Sequence, residues 1–389
     1  MVLGEAKLVE VVGAPRGDVD GAGSAPAGLR PTHPPITRSS GGPVHFTRAS
    51  RSAVPAAVGL LALTACSGQA SADDPETGSA GSSSAAEATT VEVTDNHGTY
   101  EVDQDYESVI ATDNRSFRVL EEFGVELSAA PRQLMADEVS YKDDESILDM
   151  GLHREPDLEQ VVAAQPDLII NGQRFAQHRE DLAELAPDAT LLEFDPRDGE
   201  PFDQELIRQV EALGTVFGQE EAAAGLVEDF QAQIDRATEA YDGESSVMGL
   251  LTSGGDISYV APTTGRAIGP VFDILGLEPA LEQEGEDESH GDDISVEAIA
   301  AAEPEWLLVL DRDAQIAAGE DDYTPAAELI EESEALQDVP AVENDQIVHL
   351  PANFYTTEDV QAYTEFFSDF ADALESAGEG ADESEESDQ

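Results

Sequence analysis

The sequence predicts an α/β protein: two doubly wound, Rossmann-like lobes joined by a single long helix. Three observations carry this. One stretch occurs twice, as LEQVVAAQPDLIINGQR (158–174) and VEAIAAAEPEWLLVLDR (296–312), with Glu159 falling on Glu297, Pro166 on Pro304 and Arg174 on Arg312. Each copy holds an amphipathic segment with an early Glu, a Pro-acid turn that stops the helix, and an apolar run suited to an interior parallel strand. Midway between the copies, Ala223, Leu226, Val227, Phe230, Ile234, Ala237 and Tyr241 keep i, i+3, i+4, i+7 spacing. That spacing predicts a linking helix over 219–242, roughly 33 Å long. Strand and helix patterns alternate in both halves, which is the signature of layered α/β lobes.

The elements follow in chain order. Arg48 and Arg51 precede an apolar run, AVPAAVGLLALTA (53–65), which leads into Cys66. A positive region, a short apolar core and small residues before the cut mark an export signal, and the run is too short to span a bilayer. Cys66 is the single cysteine, so no intramolecular disulfide forms. Leu63-Thr64-Ala65-Cys66 matches the lipobox of bacterial lipoproteins, in which the Cys is lipidated and becomes the first residue. Residues 1–65 thus read as a leader with a lipoprotein signal peptide. Residues 1–47, rich in Gly, Pro and Ala, fit this poorly and place the expected start near Val44. Residues 66–90 are a Ser/Ala/Gly/acid tether.

The N-terminal lobe is expected over 91–218. VEVTDNHGTYEV (91–102) alternates around Asn96-His97-Gly98 and predicts a β-hairpin. SVIAT is a strand, NRSFRVLEEFG a helix closed by Gly124, and VELSA another strand. The first repeat follows, then helices over 175–186 and 203–218 with the strand TLLEF between them. The C-terminal lobe is expected over 243–375. It opens with a hairpin, SVMGLLTSG and ISYVAP, turning at Gly254-Gly255, followed by the helix AIGPVFDILG. After an acidic loop with His290 comes the second repeat. A helix over 324–333, the strand QIVHL, a loop at 351–359 and a final helix over 359–374 complete the lobe. Residues 376–389 form an acidic tail expected to be disordered.

Composition narrows function. The chain has 389 residues, 84 acids against 18 bases and a net charge of -66. Such a surface repels nucleic acid and anionic lipid. Lys7 and Lys142 are the only lysines. An acidic, lysine-poor yet well-patterned chain reads as an exported protein of a salt-loving organism, in which salt screens the self-repulsion. No nucleophile elbow, Walker loop, H-E-x-x-H or C-x-x-C occurs.

With cations so scarce, Arg174 and Arg312 at the two repeat strand ends stand out, as does Arg266 in a Gly-Arg loop before a helix. Three guanidiniums around one cleft suit a compact polyanion with planar oxygen donors; the competing reading is that each makes a local ion pair. His290 and Tyr355 form a partial ligand set for ferric iron, a hard cation; His290 reads equally well as a solvated loop residue. Glu159 and Glu297, at matching helix starts, are either two outward charges for docking on a symmetric two-subunit partner or helix-dipole stabilisers.

The lipobox, the repeats EPDLEQVVAAQPDLII and SVEAIAAAEPEWLLVLDR, the long linking helix and GRAIGPVFDILG together resemble the substrate-binding lipoproteins of iron-siderophore ABC importers. The similarity is to those for ferric catecholates of the petrobactin and enterobactin type, and it covers about residues 91–375. It implies a non-enzymatic, monomeric protein on the outer face of the cytoplasmic membrane. A shallow cleft would hold the ferric siderophore as cargo, without an intrinsic cofactor and with little hinge motion. It implies that Arg174, Arg266 and Arg312 are the cleft arginines and that His290 and Tyr355 contact iron, although FYTT stands where relatives carry a Trp-Tyr pair. It also implies that Glu159 and Glu297 dock on a permease that works with an ATPase. Alternatives on the same architecture are haem, cobalamin or ferric hydroxamate cargo. A cell-surface hydrolase would instead use His153 or His290 with nearby carboxylates.

Overall fold

The computed structural model describes residues 90–283, 285, 291–320 and 323–387, with side chains through Glu379. The leader, Cys66, the tether up to Thr89 and His290 lie outside the described residues. Thr90–Thr94 and Thr99–Asp103 form the expected antiparallel hairpin. Its turn is closed by the Asp95 carboxylate, which accepts from the amides of His97 and Gly98.

Five parallel strands make the first sheet, in the order Leu148–Asp149, Ala129–Ala130, Val109–Ala111, Leu168–Asn171, Thr190–Glu193. The strand expected over VELSA is reduced to Ala129–Ala130, and it ends where Pro131, which cannot donate to a ladder, leads into a 3-10 turn at Arg132–Leu134. The second sheet is mixed. Ser246–Ser253 pairs in parallel with Trp306–Asp311, which pairs in parallel with Ile347–His349. On its other side Ser246–Ser253 pairs antiparallel with Asp256–Val260, completing the hairpin expected from the sequence. Its turn uses Gly254 and Gly255 at φ +60° and +84°, a conformation open to glycine at little cost.

The duplication is structural as well as textual. Gln165 and Glu303, the residues before the two prolines, both sit in the left-handed region at φ 50° and 49°. Asp167 accepts from the amides of Glu107 (2.7 Å) and Ser108 (3.1 Å) and donates its own amide to the Ser108 carbonyl (3.0 Å). Glu305 does the same at Ser246, accepting its amide at 2.9 Å and donating to its carbonyl at 2.9 Å. The acid after each proline therefore latches the start of the neighbouring strand. Ser108 and Ser246 stand at the same offset as the repeats, so the duplication reaches back to them.

The linking helix spans Glu220–Ala240, entered from Phe202–Phe217 through Gly218. It lies against the final helix, with Phe230 beside Phe367 (ring centroids 6.0 Å) and Arg236 bound to Asp372 and Glu375. Trp306 packs edge-on against Phe370 of the same final helix. Val109, Phe194, Phe230, Trp306 and Phe366 belong to one continuous core, so the two lobes are fused through these helices. The final helix runs Val360–Ser387, well beyond the end expected from the apolar pattern. Glu and Ala are good helix formers, and a packed helix extends without a new nucleation step. No helix among the described residues is long and apolar enough to cross a membrane.

Candidate functional site

The first sheet reverses its strand order between Val109–Ala111 and Leu168–Asn171. Beyond the carboxyl ends of such a pair lies the crevice of an open α/β sheet. Arg115 follows the first of these strands, and Gln173 and Arg174 follow the second. From the second sheet, Arg266 comes off the loop after Asp256–Val260 and Arg312 directly follows Trp306–Asp311. That loop is tight: a Cβ on Gly265 would lie 2.6 Å from the Ala261 carbonyl oxygen, so only glycine fits before Arg266. Tyr355 lies in a one-turn helix, Phe354–Thr357, within the segment expected to be loop.

The structure brings the three predicted arginines together around Tyr355. The guanidinium carbons of Arg266, Arg312 and Arg174 lie 4.0, 5.2 and 5.7 Å from the centre of its ring. Cations over an aromatic face are attracted by its quadrupole. The Tyr355 carbonyl accepts from Arg174 and from Arg266, each at 3.1 Å. Burial pushes the Tyr355 phenol up, but Arg266, Arg312 and Arg174 outweigh it and hold the pKa below the ordinary tyrosine value. Arg174 donates otherwise only to the Gln173 side-chain oxygen and, among the described residues, has no carboxylate in salt-bridge range. Arg312 is held by Asp313 and Ser253.

Two charged groups beside these arginines escape the repeat-based reading. Glu358, 4% exposed, accepts from Arg266 Nε at 2.5 Å and from Arg115 at 2.9 Å. Arg115 lines the same cavity, of about 460 Å³, with Arg174, Arg266, Glu358 and Phe202. The adjacent Asp359, fully buried, pairs with Arg118 at 3.0 Å, and Asn114 donates to the Thr356 carbonyl. Asn114, Arg115 and Arg118 of the first lobe are thereby fastened to Thr356, Glu358 and Asp359 of the second. This seam is what a cleft with little hinge motion requires. The signal for Arg115 was present, since it follows a strand just as Arg174 does. Glu358 carried none, because its partners are more than 90 residues away in sequence.

Behind Arg115, burial and then the Asp195 carboxylate push Asp113 up to about 7. Asp113 accepts from Gln209 at 2.6 Å and from the Arg115 amide at 3.0 Å. Glu159 and Glu297 are exposed in the first turns of Glu159–Ala164 and Val296–Ala302. His153 sits near Arg174, and its pKa is lowered by burial and then by that cation. No cluster among the described residues could hold a metal ion by itself.

Residues 109–354 match the family described as periplasmic binding protein. The chain is 26% identical over 328 residues to the petrobactin-binding protein YclQ of Bacillus subtilis (strain 168), spanning 82% of this chain and 97% of that protein. It is 31% identical over 175 residues to the ferric-anguibactin-binding protein FatB of Vibrio anguillarum, covering 45% of this chain and 53% of that one. The solved catecholate-siderophore binding protein VctP of Vibrio cholerae shares the fold, with a TM-score of 0.64 at 24% identity over 72% of this chain and 99% of that chain. The repeat, the two fused lobes and this match lead to one statement: the chain belongs to the periplasmic binding protein family.

Proposed function

We propose that the protein captures a ferric siderophore with catecholate donors and delivers it to an ABC permease for iron uptake. It works as a monomer on the outer face of the cytoplasmic membrane, anchored through a lipid on Cys66. The siderophore's iron is cargo, and the protein is not an enzyme. Arg174 carries this reading. A half-buried guanidinium with no carboxylate in salt-bridge range among the described residues, in a chain of 84 acids, is a cation held for something outside the chain. Arg266 and Arg312 complete a cup from the second lobe around an aromatic ring, a surface suited to flat, oxygen-rich anions. The relatives YclQ and FatB, a petrobactin-binding and a ferric-anguibactin-binding protein, support a ferric siderophore as the cargo. His290 and Tyr355 act as donors to iron when the siderophore leaves positions open. Glu159 and Glu297 face the two permease subunits, which work with their ATPase.

The test is equilibrium dialysis of the purified protein against ferric catecholate, mixed-ligand and hydroxamate complexes, in high and low salt. Catechol-containing complexes are expected to bind most tightly. Tighter binding of a neutral ferric hydroxamate would overturn the catecholate assignment. High salt is expected to keep the acidic fold intact, and full stability without salt would remove the salt-loving reading.

A further inference from the structure

We infer that Glu358 sets the charge of the cargo, and that the cup is matched to a ferric complex of one net negative charge rather than three. This rests on the siderophore-binding reading above.

Glu358 is placed with unusual definition. It follows the one-turn helix Phe354–Thr357 in the left-handed region at φ 49°, its amide donating to the Phe354 carbonyl at 3.0 Å. A non-glycine residue there is uncommon and is held by its surroundings. The same short turn supplies the Tyr355 ring, the Tyr355 carbonyl and the Glu358 carboxylate to the surrounding guanidiniums. Glu358 stays ionised: burial alone would raise its pKa, but Arg266, Arg115 and Arg174 lower it below the ordinary value.

The charges around the cup then nearly cancel. Among the described residues, Arg266 is met by Glu358, Arg115 by Glu358 and by Asp195 at 3.7 Å, and Arg312 by Asp313 at 3.0 Å. Arg174, which feels Glu358 only at longer range, is the one of the four with no carboxylate in salt-bridge range among the described residues. Among the described residues, four guanidiniums against three carboxylates leave a single positive charge for the cargo, with Asp113 behind Arg115 pushed toward its neutral form by burial. Attraction to the cup's single excess positive charge grows in proportion to the cargo's charge, whereas the cost of taking the cargo out of water grows with its square. A triply charged complex thus gains roughly three times the attraction at roughly nine times the desolvation cost of a singly charged one, and Glu358 keeps that excess small. Bulk salt screens buried pairs poorly. Glu358 therefore orients Arg266 and Arg115 and at the same time caps the anionic charge that the cup accepts. It is a positioning and selectivity residue.

The test uses coordinatively saturated ferric complexes on one tripodal scaffold, with catechol arms exchanged stepwise for hydroxamate. Their net charges run through -3, -2, -1 and 0, while size and denticity stay the same. The wild-type protein is expected to bind the -1 complex most tightly. Glu358→Gln is expected to raise the affinity ratio of the -3 to the -1 complex at least tenfold. Glu358→Asp, which keeps the charge, is expected to keep the wild-type ranking. Wild-type affinity rising steadily to the -3 complex overturns the inference, even if the Gln variant does not fold. So does a Gln variant that changes all four affinities by one factor. Absence of binding by all four complexes instead removes the siderophore reading, and this inference with it.

Discussion

Arg174→Ala separates a binding role from a structural one. The side chain makes two hydrogen bonds, to the Gln173 side chain at 3.2 Å and to the Tyr355 carbonyl at 3.1 Å. Its removal breaks no salt bridge among the described residues, and the longer-range attraction to Glu358 that is lost is offset by relief of the repulsion that Arg266 and Arg115 exert on Arg174. Folding stability should therefore change by less than about 1 kcal/mol. A lost charged hydrogen bond to cargo costs about 1.5–3 kcal/mol, which corresponds to a roughly 10- to 150-fold rise in Kd. Arg266→Ala is the contrast. It leaves the buried Glu358 with Arg115 as its one ion-pair partner among the described residues, beside a long 3.4 Å bond from Gln173, so it should lose comparable affinity and also about 2–3 kcal/mol of stability, the low end for breaking a buried pair. Dialysis with labelled iron gives the affinities, and urea melts give the stabilities. Tryptophan fluorescence is an indirect reporter, because Trp306 starts the strand whose far end precedes Arg312, about 20 Å away at 3.3 Å per residue. Unchanged affinity in Arg174→Ala, or equal destabilisation in both variants, would refute the reasoning.

Arg118→Leu leaves Asp359 buried without its cation and should cost about 3 kcal/mol in a urea melt. Asp113 and Asp359 are pushed by burial to about 7 and about 6. The folded state thus holds these protons more tightly than the unfolded state. Their contribution to stability is full below about pH 4 and fades as pH rises through about 6 to 7. The urea midpoint should rise on going from pH 8 to 5.5, and Asp113→Asn should shrink that rise. Charge reversal of Glu159 and Glu297 together should leave cargo affinity unchanged and abolish iron uptake in cells; normal uptake would return both residues to helix-dipole duty.

What could be read in advance follows physical range. Leu168–Asn171 and Trp306–Asp311 were legible because an interior parallel strand is a dense apolar run, and Pro166 and Pro304 mark where each begins. The strand-end rule found Arg174 and Arg312. It passed over Arg115 because Asp113-Asn114-Arg115-Ser116 also reads as the start of a helix. Glu358 and Asp359 looked like ordinary acids before the final helix. Their meaning comes from Arg115 and Arg118, which are distant in sequence, and no local pattern records such a pairing. The tail past Leu374 read as unstructured from its composition, which is blind to the helix already packed ahead of it.

The three guanidiniums around Tyr355 also give the protein an intrinsic optical label. The fold moves the phenols of Tyr106, Tyr141, Tyr241, Tyr259, Tyr323 and Tyr363 upward, while Tyr355 moves down. In an alkaline absorbance titration, phenolate should form at Tyr355 well before it forms at those six. The cup thus announces its own occupancy with no dye attached: a coordinatively saturated anionic cargo seated among the same cations would draw their charge away from Tyr355 and shift that early phenolate signal to higher pH, whereas a cargo whose iron takes up the Tyr355 oxygen would move it to lower pH.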